Sequence, residues 1–546
     1  MKPVNIIAFG IGFLLITLFF GACAGVSSPD KLAQGEVFFN KISVETAAVN
    51  DGGSEVKRVN DSFGGIGFEW DIYDAVGVHW SASVYEWLKG RVDFFKPAKI
   101  RLKFDIDKIP VYNTNFYPGD HTDAPIFNWD PASNLSAKNL FEILDYCQSK
   151  KINVAIGLFG ARGSGPANVA VPSEGHIKYA RYLVEMLDYL VNKKDYSCIK
   201  YIIPYNEPNF ISMNGKRRTD GSAYPDNDDG RFEMWRDCMS NLSSELNKKE
   251  FKTPVTIAAT DVSTTSVTHT GSGNNSTWLA AAMSYKANTG IWQTHNYNRY
   301  NNITEGRLTA VMANYKNYVT TNAGSDGEYW IYEAGFLDGK NESRSERNYD
   351  TNGNLNGDNG EYEAYVYGVN MADYILQCAL GGVDGVVLWS FDKMMHHNFS
   401  QGGGRTGARD WGLVDSETST SRPWFYMMSA LSRVMQPGFK VYRKEAETAL
   451  GYRSVYTTDG SRVYAAAVNN RWDTGVWLET DREFKFPCSS TSDKVYIYYI
   501  GPDNLIKLDK SGKLQPAEIR KANFNDGFTL QIPQGALAIV SQSPLF

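Results

Sequence analysis

The amino-acid sequence predicts an α/β protein, a (β/α)8 TIM barrel with a C-terminal antiparallel β-sandwich domain. From residue 60 to about 390, short apolar runs rich in β-branched residues alternate with amphipathic helical stretches, which indicates strand–helix units around a parallel sheet. Beyond Gly438, short runs with period-two alternation follow one another without long helices, a pattern typical of an antiparallel sandwich. Eight strand–helix units fit a TIM barrel with inserted loops.

Several predicted barrel strands are apolar on both faces, as expected for parallel strands between a barrel interior and surrounding helices. Their predicted bounds are residues 63–70, 98–105, 153–159, 199–205, 255–260, 291–297, 329–333 and 385–390. Predicted helices between them include residues 140–151, 176–192, 231–247 and 361–379. A doubly wound sheet is the alternative, but no glycine-rich phosphate loop follows the first strand.

The C-terminal region has strand patterns at residues 494–500, 505–508, 528–532 and 538–541, separated by turn pairs such as Asp459-Gly460 and Asp526-Gly527. Residues 36–59 also have a strand pattern, so the N-terminus is a candidate addition to the sandwich. The predicted organisation is a signal peptide (1–22), a tether with N-terminal strands (23–60), the barrel (61–437) and the accessory sandwich (438–546).

The first residues have the pattern of a targeting segment. Lys2 supplies a positive charge, residues 6–20 form an almost unbroken apolar run, and small residues precede Cys23. The run has signal-peptide length and is too short for a comfortable membrane span. Its ending resembles a bacterial lipoprotein signal, although Phe20 stands where Leu is more common. The resemblance implies lipidation of Cys23, export across the inner membrane and a lipid anchor on the bacterial cell envelope; a plain secretory signal is the alternative.

Composition excludes two broad classes. With 42% hydrophobic and 21% charged residues, the 546-residue chain is typical of a packed protein rather than a disordered one. A formal net charge of -6 argues against a nucleic-acid partner, because no basic patch stands out to neutralise phosphates. Aromatic residues reach 13%, which suits stacking on sugar rings and burial in a core equally well. The five cysteines after Cys23 form no CxxC pair, and we expect them to be mostly buried. One disulfide among them is possible, but the sequence does not assign its pair.

Two glutamates follow predicted barrel strands. Glu207 comes directly after strand four, in the motif Asn206-Glu207-Pro208-Asn209, and Glu333 ends strand seven. Catalytic residues of TIM barrels lie at the C-terminal ends of strands, so barrel closure is expected to bring both carboxylates to one face. Retaining glycoside hydrolysis requires such a pair, roughly 5–5.5 Å apart, with one acid protonated and the other ionised. Asn-Glu-Pro alone is a weak motif, and its position relative to the second glutamate carries the prediction.

In these motifs the sequence resembles the clan-A glycoside hydrolases, which include families 5, 30, 39 and 51. The resemblance covers the barrel and extends through the sandwich to the C-terminus. It implies that Glu207 is the acid/base, that Glu333 is the nucleophile and that Asn206 binds the 2-hydroxyl of the sugar. The family within the clan stays open, because some families carry a histidine after strand three, where residues 159–162 of this chain read Phe-Gly-Ala-Arg.

The same resemblance marks further candidates for substrate binding. Arg101 lies on strand two, where the clan holds an arginine that would favour an ionised nucleophile. His295 and Tyr297 match the clan's His-x-Tyr at strand six, and Tyr297 is expected to donate a hydrogen bond to Glu333. Trp389 ends strand eight, where a clan tryptophan usually floors the sugar subsite.

Glu69, at the end of strand one, is a candidate for binding substrate hydroxyls. Structural interpretations stay open beside the functional ones: Arg101 as a salt-bridge partner, His295 as a satisfied core histidine and Trp389 as packing. No metal or cofactor is predicted, since retaining hydrolysis needs none. Residues 352–363 have EF-hand-like spacing, but a polar loop is favoured over a calcium site.

The sequence therefore predicts a lipid-anchored retaining β-glycosidase whose partner is a polysaccharide or oligosaccharide. A non-catalytic carbohydrate-binding lipoprotein on the same fold is one alternative. A transglycosylase, in which a sugar hydroxyl replaces water at the second step, is another, because both enzymes share the covalent intermediate.

Overall fold

The computed structural model describes residues 56–72, 80–104, 127–158, 173–263, 278–299, 303–337, 360–392, 412–444, 451–470, 482–489, 492–501 and 505–546. Cys23, residues 159–162 and most of the EF-hand-like segment lie outside these ranges, as does the strand pattern before residue 56. Within the described ranges, none of the helices combines the length and apolarity needed to cross a bilayer.

Eight parallel strands close into a barrel in chain order. The chain enters through strand β1 (Val56–Phe63), which lies outside the barrel. The barrel strands are β2 (Ile66–Glu69), β3 (Lys99–Phe104), β4 (Asn153–Leu158), β5 (Ile199–Ile203), β6 (Thr256–Ser263), β7 (Thr289–Arg299), β8 (Tyr329–Leu337) and β9 (Gly385–Leu388). The predicted TIM barrel is confirmed, and each predicted barrel strand overlaps the corresponding observed barrel strand.

Helices pack around the outside of the barrel. They are α1 (Ala82–Phe95), α2 (Leu135–Lys150), α3 (Ile177–Leu187), α4 (Asp228–Asn247), α5 (Trp278–Ala282), α6 (Arg307–Ala323), α7 (Gly360–Leu380) and α8 (Pro423–Val434). A π-helical turn (Asp188–Lys193) extends α3, and 3-10 turns occupy Pro208–Phe210 and Met283–Tyr285. Local chemistry sets their ends: the Asn134 side chain accepts hydrogen bonds from the first backbone N–H groups of α2, and Pro423 opens α8.

Alternation along β3 shows how the barrel is filled. Ile100, Leu102 and Phe104 face outward into the large hydrophobic core shared with the helices. Lys99, Arg101 and Lys103 belong to the opposite, inward face, and all three are buried. A separate apolar cluster fills the interior, formed by Ala155, Ile203, Ala258, Ile291, Trp330, Tyr332 and Val387. Charged side chains are therefore confined to the two ends of the barrel interior.

An antiparallel β-region follows the barrel. A short pair of strands, β10 (Val414–Asp415) and β11 (Thr420–Ser421), lies between β9 and α8. The strands of the β-region itself are β12 (Phe439–Lys444), β13 (Tyr452–Thr458), β14 (Val463–Asn469), β15 (Arg482–Phe484), β16 (Lys494–Ile500), β17 (Glu518–Lys521), β18 (Phe528–Leu530) and β19 (Ala536–Ser541). Seven strands form one sheet in the order β1-β12-β13-β14-β19-β16-β17, while β15 pairs with β18 in a smaller sheet. Residues 56–59, part of the predicted N-terminal strand, do join this sheet through β1.

The seven-stranded sheet is buried on both faces. On β14, Tyr464, Ala466 and Val468 join the large core of the barrel and helices, whereas Ala465 and Ala467 pack in a second core with the smaller sheet. Polar contacts add to this junction, because the Asn470 side chain donates hydrogen bonds to Asp373 (3.0 Å) and Asn370 (2.9 Å) on α7. The five described cysteines are all free, and the sheet is therefore held to the barrel by packing and hydrogen bonds.

Two glycines offer a matched test of barrel packing. A Cβ on Gly67 of β2 would lie 2.2 Å from the backbone oxygen of Lys99, whereas a Cβ on Gly90 of α1 would meet no atom within 4 Å. We expect Gly67→Ala to lower the unfolding free energy by about 1–3 kcal/mol or more, because the neighbouring strand must move. Gly90→Ala should instead stabilise the helix by up to about 1 kcal/mol. Thermal and urea unfolding of both variants test this, and equal stabilities would contradict it.

Candidate active site

The predicted site residues converge at the C-terminal end of the barrel. Contacts link all eight of them across six strands: Glu69, Arg101, Asn206, Glu207, His295, Tyr297, Glu333 and Trp389. Four of them, Asn206, Glu207, Tyr297 and Trp389, keep exposed surface, while the others are buried beneath them. The site thus has an accessible upper set of side chains and a buried lower set.

A register shift turns Glu333 into the barrel. Thr294 of β7 pairs with Ile331 of β8, but the next residue, His295, pairs with Glu333, so Tyr332 is an extra residue in β8. Tyr332 belongs to the interior cluster and Ala334 to the outer core. Without the extra residue, period-two alternation would aim Glu333 outward, whereas the bulge aims it at the barrel interior.

A second bulge on β6 places a carboxylate that the sequence analysis missed. Thr260 pairs with Gln293 and Val262 with Thr294, which leaves Asp261 as the extra residue, with φ of 62°. Asp261 is fully buried and points to the cations of β3. The left-handed backbone at a non-glycine residue is a conformation that the surrounding structure must hold in place.

Glu207 also has left-handed backbone, with φ of 41° and ψ of 60°, where β5 has ended and the 3-10 turn begins. Its backbone N–H donates a hydrogen bond to the Asp261 carbonyl (3.1 Å), which ties the turn to the β6 bulge. The Glu207 side chain is 29% exposed, whereas that of Glu333 is 7% exposed. The two glutamates therefore occupy different environments, one open to the pocket and one enclosed.

The two glutamates face each other across His295. One carboxylate oxygen of Glu207, one of Glu333 and a ring nitrogen of His295 all lie within 4.8 Å of one another. His295 Nδ1 is 3.1 Å from Glu207 Oε1 and also contacts Glu333 Oε2 closely. An oxygen–oxygen separation of this size corresponds to the short class of carboxylate pairs, not to the wide class of about 6.5–9.5 Å that admits a water between them.

The buried guanidinium of Arg101 joins the acids from below. Its Nη1 contacts Glu69 Oε2 and lies 3.4 Å from Glu333 Oε1. Its Nη2 is 3.1 Å from Asp261 Oδ2 and 3.0 Å from the amide oxygen of Asn206. Burial lowers the pKa of Arg101, but these carboxylates outweigh burial and raise it above its ordinary value. The guanidinium is thus a permanent cation with carboxylates on several sides.

The charges fix the protonation states of Glu333 and His295. Burial raises the pKa of Glu333, but His295 and Arg101 outweigh burial and lower that pKa to about 2. Burial lowers the pKa of His295, but Glu333 and Asp261 raise it to about 10. At neutral pH the carboxylate of Glu333 is ionised and His295 is an imidazolium, donating from Nδ1 to Glu333 and from Nε2 to Asp261 Oδ1 (2.9 Å).

Glu69 and Asp71 form a second, fully enclosed carboxyl pair. Burial raises the pKa of Glu69 well above its usual value, and Arg101 opposes this. Burial also raises the pKa of Asp71 to about 7, although hydrogen bonds with Glu69 and with the Lys103 backbone N–H lower it. Glu69 has no exposed surface, and its oxygens accept hydrogen bonds from Arg101 and from Trp389 Nε1 (3.1 Å). In this geometry its contacts are with protein groups.

Aromatic rings border the open side of the site. The rings of Tyr297 and Trp389 meet edge to face, with centroids 6.3 Å apart. A Cβ on Gly335 would lie 2.2 Å from Tyr297 Cε1, so glycine in the sequence Glu333-Ala334-Gly335 makes room for that ring. Burial and the nearby carboxylates, Glu333 first among them, raise the pKa of Tyr297 well above its ordinary value. The phenol is therefore a neutral donor beside the glutamates.

Sequence reasoning missed Asp261, Lys103, Asp71 and Gln293. Lys103 Nζ contacts Asn206 Oδ1 and is 2.8 Å from Asp261 Oδ2, and Gln293 Nε2 is 2.7 Å from Asp261 Oδ1. A usable signal exists for Lys103 and Gln293, because each lies two residues from a recognised site residue on the same strand and therefore on the same face. Asp71 likewise lies two residues beyond Glu69.

Glu207, His295 and Glu333 also form a group with spacing that a metal ion could bridge. A histidine nitrogen must be unprotonated to bind a metal, and the carboxylates raise the pKa of His295 to about 10. Protons therefore compete strongly with any cation at this position. The donor set favours a hydrogen-bonded acid pair over a metal centre.

No protein-family model matches the sequence, and no curated protein sequence matches it. Solved structures do: a glycoside hydrolase family 30 subfamily 8 xylanase from Clostridium acetobutylicum is 14% identical, with a TM-score of 0.51 over 89% of this chain and 98% of that chain. A monomeric beta-xylosidase from Caulobacter crescentus CB15 is 12% identical, with a TM-score of 0.51 over 89% and 96%. A conserved exported protein from Bacteroides fragilis is 12% identical, with a TM-score of 0.55 over 89% and 98%. The likeness shows the fold, a closed (β/α)8 barrel with an antiparallel β-region, which this chain shares with these proteins.

The imidazolium–carboxylate pair makes stability depend on pH. The raised pKa of His295 gives a contribution that is complete below pH 6.5 and is lost as the pH rises through about 10. The lowered pKa of Glu333 gives a contribution that is complete above pH 4.5 and is lost as the pH falls through about 2. We expect the Tm difference between wild type and His295→Gln to be largest between pH 4.5 and 6.5 and to narrow toward pH 10.

Calorimetry of the two proteins across this range measures the effect. Gln293→Met, which removes an uncharged neighbour on the same strand, serves as the control and should shift Tm by a similar amount at every pH. A Tm difference for His295→Gln that does not vary with pH would contradict the assigned charges.

Proposed function

We propose that this protein is a retaining glycoside hydrolase that cleaves β-glycosidic bonds in a polysaccharide or oligosaccharide. The observation that carries the proposal is the carboxylate pair, with an oxygen of Glu207, which follows barrel strand four, within 4.8 Å of an oxygen of Glu333, which lies on barrel strand seven. This separation suits direct attack by one carboxylate on the sugar, followed by hydrolysis of the covalent intermediate. The fold is shared with solved xylanases and other glycoside hydrolases.

In the first step, the ionised carboxylate of Glu333 attacks the anomeric carbon while Glu207 gives its proton to the departing glycosidic oxygen. The bond between that carbon and oxygen breaks, and a glycosyl ester forms on Glu333. In the second step, Glu207 removes a proton from water, which attacks the same carbon and releases the sugar and the free carboxylate. The proton that Glu207 lost is thereby returned, and configuration is retained.

The environments of the two acids support this division of roles. Glu333 is enclosed, and the charges of His295 and Arg101 lower its pKa to about 2, so it is ionised at any working pH. Glu207 has the more exposed side chain, as a residue that exchanges protons with a leaving group and with water requires. The nucleophile is thus kept anionic and the acid/base is kept accessible.

The neighbouring side chains supply recognition. Trp389 and Tyr297 offer partly exposed aromatic surface of the kind that stacks on the apolar face of a sugar ring. Asn206 precedes the acid/base and is the proposed donor to the 2-hydroxyl, a contact that strengthens in the transition state. The solved neighbours named for a beta-xylosidase and an endo-beta1,6-glucanase favour a β-linked substrate.

Trapping the intermediate tests the mechanism directly. We expect a panel of activated 2-deoxy-2-fluoro-β-glycosides to yield one stable adduct, whose added mass maps to Glu333 in a peptide digest. The glycoside that reacts identifies the sugar. An adduct on another residue would overturn the assignment of the nucleophile. Failure of every glycoside, together with no hydrolysis of oligosaccharides, would favour a carbohydrate-binding protein.

Substitution separates the two acids. Glu207→Ala should lower kcat by about 10²–10⁴-fold for substrates with poor leaving groups, and much less for dinitrophenyl glycosides, because only the former need a proton. Glu333→Ala should abolish turnover of both kinds. Glu328→Ala is the control, since Glu328 lies beside Lys99 and Trp330 just before β8 begins and should leave kcat unchanged. Equal losses for both substrates in Glu207→Ala would contradict its role as the acid.

We also propose that the exported chain is anchored through Cys23. Replacing Cys23 with Ser should move the protein, expressed in a bacterial host, from the detergent-rich to the aqueous phase of a Triton X-114 separation. Cys488→Ser, which alters a free cysteine of the accessory region, serves as the control and should stay in the detergent phase. Partition of the wild-type chain into the aqueous phase would leave the plain secretory signal as the correct interpretation.

A further inference from the structure

Three basic residues line one inward face of β3, and the last of them has no part in the mechanism above. Lys99 lies toward the N-terminal end of the barrel, with Nζ 3.6 Å from the Trp330 ring centroid and 3.4 Å from Glu328. Arg101 holds the carboxylates at the site. Lys103, nearest the C-terminal end, is fully buried, and its ammonium group contacts Asn206 Oδ1 and Asp261 Oδ2.

These contacts fix which way the Asn206 amide points. Its oxygen accepts hydrogen bonds from both Lys103 Nζ and Arg101 Nη2, the latter at 3.0 Å. The reversed amide would turn an NH2 group toward two cations, which is excluded because neither lysine nor arginine can accept a hydrogen bond. Among the described residues, none accepts a hydrogen bond from Asn206 Nδ2, and Asn206 keeps exposed surface. The amide therefore presents a donor to the pocket.

Loss of Lys103 would remove a larger share of the hydrogen bonds that hold Asn206 than of those that hold Asp261. Asp261 also accepts hydrogen bonds from Arg101 (3.1 Å), Gln293 (2.7 Å) and His295 (2.9 Å), so it stays well held without the lysine. Asn206 would keep only Arg101, whose guanidinium also contacts Glu69, Asp261 and Glu333. Loss of Lys103 would thus free the Asn206 amide to rotate while the rest of the charge cluster persists.

We propose that Lys103 is a positioning residue that locks the Asn206 amide with its NH2 group toward the sugar, and that recognition of the 2-hydroxyl depends on this lock. The inference rests on the proposed function, since it assigns a role within the same subsite. Its chemistry predicts that Lys103 acts on catalysis only through Asn206. The 2-hydroxyl of the substrate is therefore the reporter to use.

The test compares the 2,4-dinitrophenyl β-glycoside that wild type turns over fastest with its 2-deoxy analogue. For each variant, the ratio of the two kcat/KM values gives the 2-hydroxyl dependence. We expect Lys103→Met to shrink that ratio by about 10- to 100-fold, as loss of a charge-supported hydrogen bond implies. Asn206→Ala should shrink it at least as much, and Lys103→Met/Asn206→Ala should be no worse than Asn206→Ala. Lys99→Met, a loss of a buried lysine from the same strand face, should leave the ratio at the wild-type value.

A second variant separates positioning from folding. Lys103→Gln keeps a neutral donor for Asn206 Oδ1 and should retain most of the 2-hydroxyl dependence. If Lys103→Met does not fold, Lys103→Met/Asp261→Asn, which removes both charges of the pair, takes its place. If either variant keeps the wild-type 2-hydroxyl dependence, the role of Lys103 is overturned while the proposed function stands. The same conclusion follows if the effects of Lys103→Met and Asn206→Ala on this dependence are additive. A wild-type chain that turns over no glycoside would overturn the proposed function and this inference with it.

Discussion

The site is built on one buried cation. The guanidinium of Arg101 has no exposed surface, and a charge so placed is tolerated only when opposite charges and hydrogen bonds surround it. Asp261 and Glu333 supply those charges, and each would in turn be costly to bury without the cation, while Glu69 supplies a further hydrogen-bond acceptor. Because strands β2, β3, β6 and β8 each contribute one member, the charge cluster also fixes how the ends of these strands lie relative to one another. The ionised state of Glu333 and the geometry of the barrel mouth are consequences of the same interaction.

The barrel tolerates the buried charges around Arg101 because the layer beneath them is formed by uncharged side chains. The interior layer that includes Trp330, Tyr332 and Ile291 fills the space between the strands with uncharged side chains. Burial raises the pKa of Tyr332 well above its ordinary value, so packing in this layer does not depend on pH. Charged residues meet only above and below that layer, with Lys99 and Glu328 at one end and the acids at the other. The division permits the upper end to be tuned for chemistry while the layer beneath supplies stability.

Alternation and strand ends were sufficient to predict the barrel, the position of Glu207 and the inward face of β7. They were not sufficient for the bulges. One extra residue flips every following side chain to the other face of the strand, and this shift leaves no mark in the sequence where the strand is apolar on both faces. Asp261 was missed for that reason. The same limit applies to partners: the sequence indicated Tyr297 as a hydrogen-bond donor to Glu333, but not that His295 Nδ1 lies directly against that carboxylate. Which of two residues on one face reaches a neighbour depends on strand stagger, which only the assembled barrel defines.

The accessory sheet has consequences for how such a chain can be divided. Its first strand, β1, precedes the barrel and its remaining strands follow it, so the barrel is an insertion between two pieces of one sheet. A cut after α8 would leave β1 without its partner β12. It would also expose Tyr464, Ala466 and Val468 and the apolar surface of the helices against which they pack. Exchange of this barrel for that of another protein with the same architecture must therefore carry the sheet along as a single unit.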